Sequence, residues 1–351
     1  MATPNFDDFK LAVEAVSGGA NTVIFDDLGM PSVMVPIPKM KYSDLIKGGS
    51  QNTHPAFIVN SVEKNVMYYS KYQNIVINDR AYSLPLRDPR TSVNNDQAMT
   101  YCRNKGKGWG LSPHSLWSAI ALWTRANGTM PHGNNNFGAD SSYPFEKGIE
   151  CSHEGSGDTY KTNRILTGSG PKTWYHDFTK NGIADLNGNV WEWQAGMRMV
   201  NGELQIIPDA NIMDSDISHG ANSSAWKAIM PDGSLVAPGT SGTLHYTSAG
   251  KLATKTDDTT KSYSLPYQSM ALDASVSAAP EITKGLLIYP DDPGADYGGD
   301  YHWGNLADER VALCGGIWNS GGDAGVFDVN LASPRSRALV NIGFRSAYCD
   351  L

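Results

Sequence analysis

Two aromatic- and glycine-rich segments, far apart in the chain, restrict what it can fold into more than any other feature. The first is Asp185-Leu-Asn-Gly-Asn-Val-Trp-Glu-Trp193, and the second runs from Gly315-Gly-Ile-Trp318 to Ile342-Gly-Phe-Arg345. Glycine and asparagine open a tight turn in the first, and Trp191 and Trp193 follow at i, i+2 on one face of a strand. Each indole would bury roughly 150–250 Å², so such a strand calls for a deep apolar bed.

The remaining composition narrows the class. A 351-residue chain fits one large domain with insertions, or two domains. With 40% hydrophobic and 18% charged residues, 36 glycines and 19 prolines, it is turn-rich and unlike a helical bundle. The net charge of −8, with no Lys/Arg cluster, argues against nucleic acid as a partner. No apolar run reaches a membrane-spanning length, and the amino terminus lacks the basic and apolar regions of a signal peptide. Cys102, Cys151, Cys314 and Cys349 show no metal or redox spacing and read as buried free thiols.

Thr3-Pro4 reads as a helix start, with Phe6, Phe9, Leu11, Val13 and Val16 giving an imperfectly amphipathic helix that stops at Gly18-Gly19. With a strand over 21–25 and a turn over 26–29, residues 1–31 read as an appendage. The body is expected over 32–351, opening on a proline-punctuated edge strand, 33–39. Strands are predicted at 57–59, 65–72 and 75–77. Short helices are predicted at 96–103 and after Ser112-Pro113, the latter with Leu116, Ile120 and Trp123 on one face. Residues of about 195–280 read as an insertion with strands at 203–207 and 243–246 and a helix near Trp226.

The usual catalytic patterns find little support. The histidines never fall at i, i+4, and Ser112-Pro-His-Ser115 has no third triad member in view. Asp300-Tyr-His302, beside Asp291, Asp292 and Asp296, reads as a solvated turn, with a metal or acid–base site as the alternative.

Met34-Val-Pro-Ile-Pro38, Ala98-Met-Thr-Tyr-Cys102, Gly110-Leu-Ser-Pro-His-Ser-Leu-Trp117, the 185–193 element, Gly315-Gly-Ile-Trp318 and Gly343-Phe-Arg345 occur in that order. This order resembles the formylglycine-generating-enzyme (sulfatase-modifying factor) branch of the C-type-lectin fold, over roughly 32–351. The resemblance implies an α+β, loop-rich fold with small antiparallel sheets, few helices and a large insertion. Catalytic members carry a cysteine pair between the Gly-Gly element and Gly-Phe-Arg, whereas 317–345 here holds none and Cys314 and Cys349 lie outside it. An oxidoreductase of that type is therefore the rival reading rather than the favoured one.

The closing segment, about 311–348, is instead similar to the variable region of proteins diversified by retroelements. That resemblance implies a scaffold of Trp191, Trp193, Gly315, Gly316, Trp318, Phe327 and Arg345. It implies changeable, ligand-facing residues at Ile317, Asn319, Ser320, Asp323, Asp328, Asn330, Ala332, Ser333, Arg337, Leu339, Val340 and Asn341. The expectation is a non-enzymatic protein that binds a protein or glycan on a target cell surface, carried on a phage tail or made in the host cytoplasm and displayed. A homo-oligomer, such as a trimer, and a purely structural virion or surface protein are the accompanying alternatives. No cofactor is expected beyond a Ca²⁺ ion at the 181–189 turn, whose carbonyl and amide oxygens are hard ligands but which has few carboxylates.

Overall fold

The computed structural model describes residues 7–351, so Thr3, Pro4 and Phe6 lie outside the described residues. In chain order come helix α1 (Asp7–Ser17) and strands β1 (Thr22–Phe25), β2 (Pro31–Pro38) and β3 (Val66–Ser70). Helix α2 (Asn95–Arg103), strand β4 (Trp109–Leu111) and helix α3 (His114–Ala126) follow. After a loop-rich stretch come β5 (Trp191–Val200), β6 (Glu203–Ile206), β7 (Ser262–Pro266), β8 (Tyr301–Asn305), β9 (Glu309–Cys314), β10 (Val329–Leu331), β11 (Ile342–Phe344) and β12 (Ser346–Tyr348). The fold is α+β and loop-rich, with small, mainly antiparallel sheets and few helices.

One sheet has the order β1-β2-β3-β12-β4. Within the segment expected as an appendage, β1 pairs with β2 over Thr22↔Met34 to Phe25↔Pro31. The expected edge position of β2 is corrected by the same pairing, since β3 flanks its other side. Beyond Met34, however, β1 has ended, and Pro36 and Pro38 remove amide donors from the uncovered stretch.

The larger sheet is built on the tryptophan strand. β5 pairs antiparallel with β6 and β9, and parallel with β11, while β10 lies between β9 and β8 and β7 borders β8. Much of the 195–280 region adds to this sheet through β6 and the short strands Lys227–Ile229, Leu235–Val236 and His245–Tyr246. The helix expected near Trp226 is instead the start of such a strand, because Ala228 pairs with Gln205. Local propensity there yields to ladder pairing.

α3 packs between the sheets. Leu116, Trp117 and Ile120 are buried in the main core, and Trp123 packs partly buried against it. Its first turn is not capped by Ser112: that hydroxyl bonds Gln194 Oε1 (2.7 Å) and the Tyr69 hydroxyl (3.0 Å). In α1 only part of the expected apolar stripe packs inward. Phe9 and Val13 meet Val33 and Tyr72, while Leu11 and Val16 are exposed.

Candidate ligand-binding surface

The two motifs that dominate the sequence are docked on one another. Gly188 donates its N–H to Gly315 O (2.7 Å) and Trp191 its N–H to Asn341 O (2.9 Å). β5 and β11 then align Trp191↔Ile342, Glu192↔Gly343 and Trp193↔Phe344. Trp193 is fully buried and its indole N–H reaches Val93 O at 2.9 Å. Trp191 is only half-buried, so the deep bed expected for both rings exists for one.

Strand alternation sends Glu192 to the side opposite the indoles, where it meets Arg345. Arg345 is wholly buried, its Nε bonded to both Glu192 oxygens at 2.7 and 2.9 Å. Its Nη atoms donate to the carbonyls of Lys71 (3.0 Å), Asp185 (2.9 Å), Ala184 and Ser70. Because β11 lies in the large sheet and β12 in the small one, this side chain ties the sheets together where the chain crosses between them.

Other residues expected to form the scaffold are enclosed as well. Trp318, Phe327, Leu331 and Ile342 are buried. Gly315 and Gly316 have φ of +97° and +78°, a conformation that favours glycine. Gly325 serves differently: its φ is ordinary, but a Cβ there would strike the Asp300 carboxylate.

The interleaved positions divide by accessibility. Asn319, Arg337, Leu339 and Val340 are exposed, Val340 to 61%. Ile317, Ser320, Asp323, Asn330, Ala332 and Asn341 are half-buried. Asp328 and Ser333 depart from the water-facing expectation, because both are buried. Asp328 Oδ1 accepts the indole N–H of Trp303 (3.1 Å), and the Ser333 carbonyl accepts the Val311 N–H (3.0 Å). Some half-buried side chains also brace the backbone: Ser320 Oγ accepts Ile317 N–H, and Asn330 Oδ1 accepts Ala332 N–H.

The surface extends past the carboxyl-terminal segment. Phe137 N–H bonds Trp318 O and Gly321 N–H bonds Asn135 O, which joins loop 134–143 to residues 318–321. At the other end Ser92 N–H meets Leu339 O, and Arg164 reaches Val340 O. β8 places Tyr301 and Trp303 half-buried, their rings 5.5 Å apart, with Trp303 beside Asn330. The sequence reading missed these aromatics. The alternation Tyr301, Trp303, Asn305 was the available signal.

The solvated turn expected at Asp300–His302 is also corrected, since both residues are buried. Burial holds the Asp300 carboxyl up at about 8, against the N–H of Phe327 and with Asp296 and Asp323 pushing upward. Burial likewise raises Asp328, with Asp300 adding to the effect. At the 181–189 turn, Asn189 Oδ1 accepts from Asn134 and Ile165, and Asn187 Oδ1 from Asn135. Those amide oxygens already hold the turn together, and among the described residues no group of His, Cys, Asp and Glu has the arrangement of a metal site. Burial pushes the thiols of Cys314 and Cys349 upward, the latter to about 12, which keeps them in the unreactive thiol form.

No family model matches the chain, and no curated protein sequence matches it. Among solved structures, the chain is similar to the Major Tropism Determinant U1 variant, at 13% identity over 93% of this chain and 71% of that one, with a TM-score of 0.32. It is also similar to Treponema denticola variable protein 1, at 11% identity over 93% and 98% of the two chains, with a TM-score of 0.34.

Proposed function

We propose that this chain is a non-enzymatic binding protein of the retroelement-diversified kind, on a C-type-lectin scaffold, whose carboxyl-terminal segment displays interchangeable side chains toward a receptor. One observation carries the reading. Within 311–348, residues with a fixed structural role (Gly315, Gly316, Trp318, Phe327, Ile342, Arg345) are buried, while ten of the twelve interleaved positions retain contact with solvent. A binding face can change its chemistry without unfolding only when its backbone is held by residues that do not change.

The ligand proposed is a protein on a target cell surface, met by the aromatic, amide and arginine side chains that ring this face. Presentation on a virion, in several copies, would let modest single-site affinity act through avidity. The buried, high-pKa thiols favour this reading over a thiol-dependent oxidoreductase.

The test is genetic and direct. The DNA beside the coding sequence should hold a reverse-transcriptase gene and a near-copy of the codons for about 311–348, differing mainly at adenines. Population sequencing should then find substitutions concentrated at the exposed and half-buried positions and absent from Gly316, Phe327 and Arg345. Variation spread evenly along the chain would contradict the reading.

A further inference from the structure

A cleft of about 280 Å³ opens beside the changeable positions, between loop 130–143 and residues 322–326. One wall is the stacked pair His132 and Tyr143, ring centroids 4.0 Å apart and planes within 9°. Tyr143 is 41% exposed. The carboxylate of Asp140 shapes this wall by accepting the N–H groups of Gly133, Ser142 and Tyr143.

Asp300 lines the same cleft while only 4% exposed. Its Oδ2 accepts the Phe327 N–H at 2.7 Å, and among the described residues no donor reaches Oδ1. Gly298 and Gly325 leave the space around that carboxylate open, since a Cβ on either would crowd it. The Oδ1 oxygen opens onto the cleft, where a ligand can supply the donor it lacks.

The chemistry selects the ligand. A lysine or arginine side chain has an apolar stem to lie along an aromatic wall and a charged head rich in N–H donors. A charge-assisted bond to the carboxylate is about twice as strong as a neutral one, so the cation gains more there than a hydroxyl does. The chain's net charge of −8 also draws basic partners.

We propose that this cleft takes up a basic side chain, lysine or arginine, from a protein partner, with Asp300 as its counter-ion. The inference rests on the neighbouring surface being a protein-recognition face and gives that face an anchor that does not vary. Asp296, Asp323 and Asp328 act electrostatically on Asp300 or are acted on by it, and Asp140 and the His132–Glu146 pair lie across the cleft. At neutral pH the entering cation displaces the Asp300 proton, so uptake strengthens as pH rises toward 9 and releases a proton.

The experiment titrates the full chain with Nα-acetyl-arginine amide and Nα-acetyl-lysine amide, using Nα-acetyl-norleucine amide and methyl α-mannoside as controls. Calorimetry runs in two buffers of different ionisation enthalpy. Saturable binding of the cations alone is expected, tighter at pH 9 than at pH 6, with buffer-dependent heat. Asp300→Asn keeps an acceptor for Phe327 and should weaken binding by about tenfold. Tyr143→Ala, on the exposed wall, should weaken it severalfold and serves if Asp300→Asn does not fold. Asn319→Ala and Val340→Ser should leave capped-arginine binding unchanged, so a failure of the changeable face and a failure of the cleft give different patterns. Equal binding of norleucine amide, binding of the sugar alone, or cation binding indifferent to both cleft variants would overturn the proposal.

Discussion

The Glu192 carboxylate and the Arg345 guanidinium form a wholly buried ion pair at 2.7 Å, joining the tryptophan strand to the last crossing of the chain. The pair works with the four carbonyls that Arg345 also holds, so the guanidinium fastens two backbone segments, 70–71 and 184–185, to the strand that carries Glu192.

Removing one partner of such a pair strands a charge in the interior. Arg345→Met is expected to destabilise the chain by about 3–5 kcal/mol, and Glu192→Gln by a comparable or smaller amount. Urea unfolding measures both. Arg345→Lys should not restore stability, because a single ammonium cannot span the carboxylate and the carbonyls together.

The platform and the face should respond oppositely to mutation. Phe327→Ala is expected to cost about 3–5 kcal/mol. Asn319→Ala, Arg337→Ala and Val340→Ala should each stay within about 0.5 kcal/mol of the parent, as exposed substitutions do. Midpoints of denaturant unfolding separate the two groups.

Gly316→Ala tests the turn itself. The left-handed backbone costs an L residue about 1–2 kcal/mol, and the new methyl would press on Ala324 as well. A stability loss exceeding the backbone cost is expected, without change in the exposed positions.

Asp300 predicts a pH dependence with a definite sign. Its folded carboxyl, at about 8, stays protonated above the ordinary 3.8 of the unfolded chain. Between those values the unfolded state binds fewer protons, so this group's contribution to stability falls as pH rises from about 4 to about 8. Asp300→Asn should flatten that decline. Unfolding free energies at pH 5 and pH 8 for parent and variant provide the comparison, and equal slopes would contradict the assignment.

Much of the scaffold was legible in the sequence. The Gly-Asn turn, Trp193, the strands over 22–25 and 66–70 and the two core helices follow from local pattern, and the burial of Trp318, Phe327, Leu331 and Ile342 follows from their apolar type. What was not legible depends on partners distant in the chain. Trp226 leads into a strand because Gln205 pairs with Ala228. Asp328 looks interchangeable among its neighbours, but Trp303 and the turn at Gly316 enclose it. The Asp300 segment has turn chemistry in sequence and becomes interior only when residues 324–327 fold over it.

The central claim is that a rigid platform carries exchangeable, water-facing side chains. The most direct measurement randomises Asn319, Arg337, Leu339 and Val340 together, displays the library, and counts the fraction of clones that resist proteolysis as the parent does. A matched library at Phe327, Asp328, Ile342 and Arg345 gives the contrast. Most clones of the first should fold and few of the second. Comparable losses in both would show that the face and its support are not separable, and the account would fail.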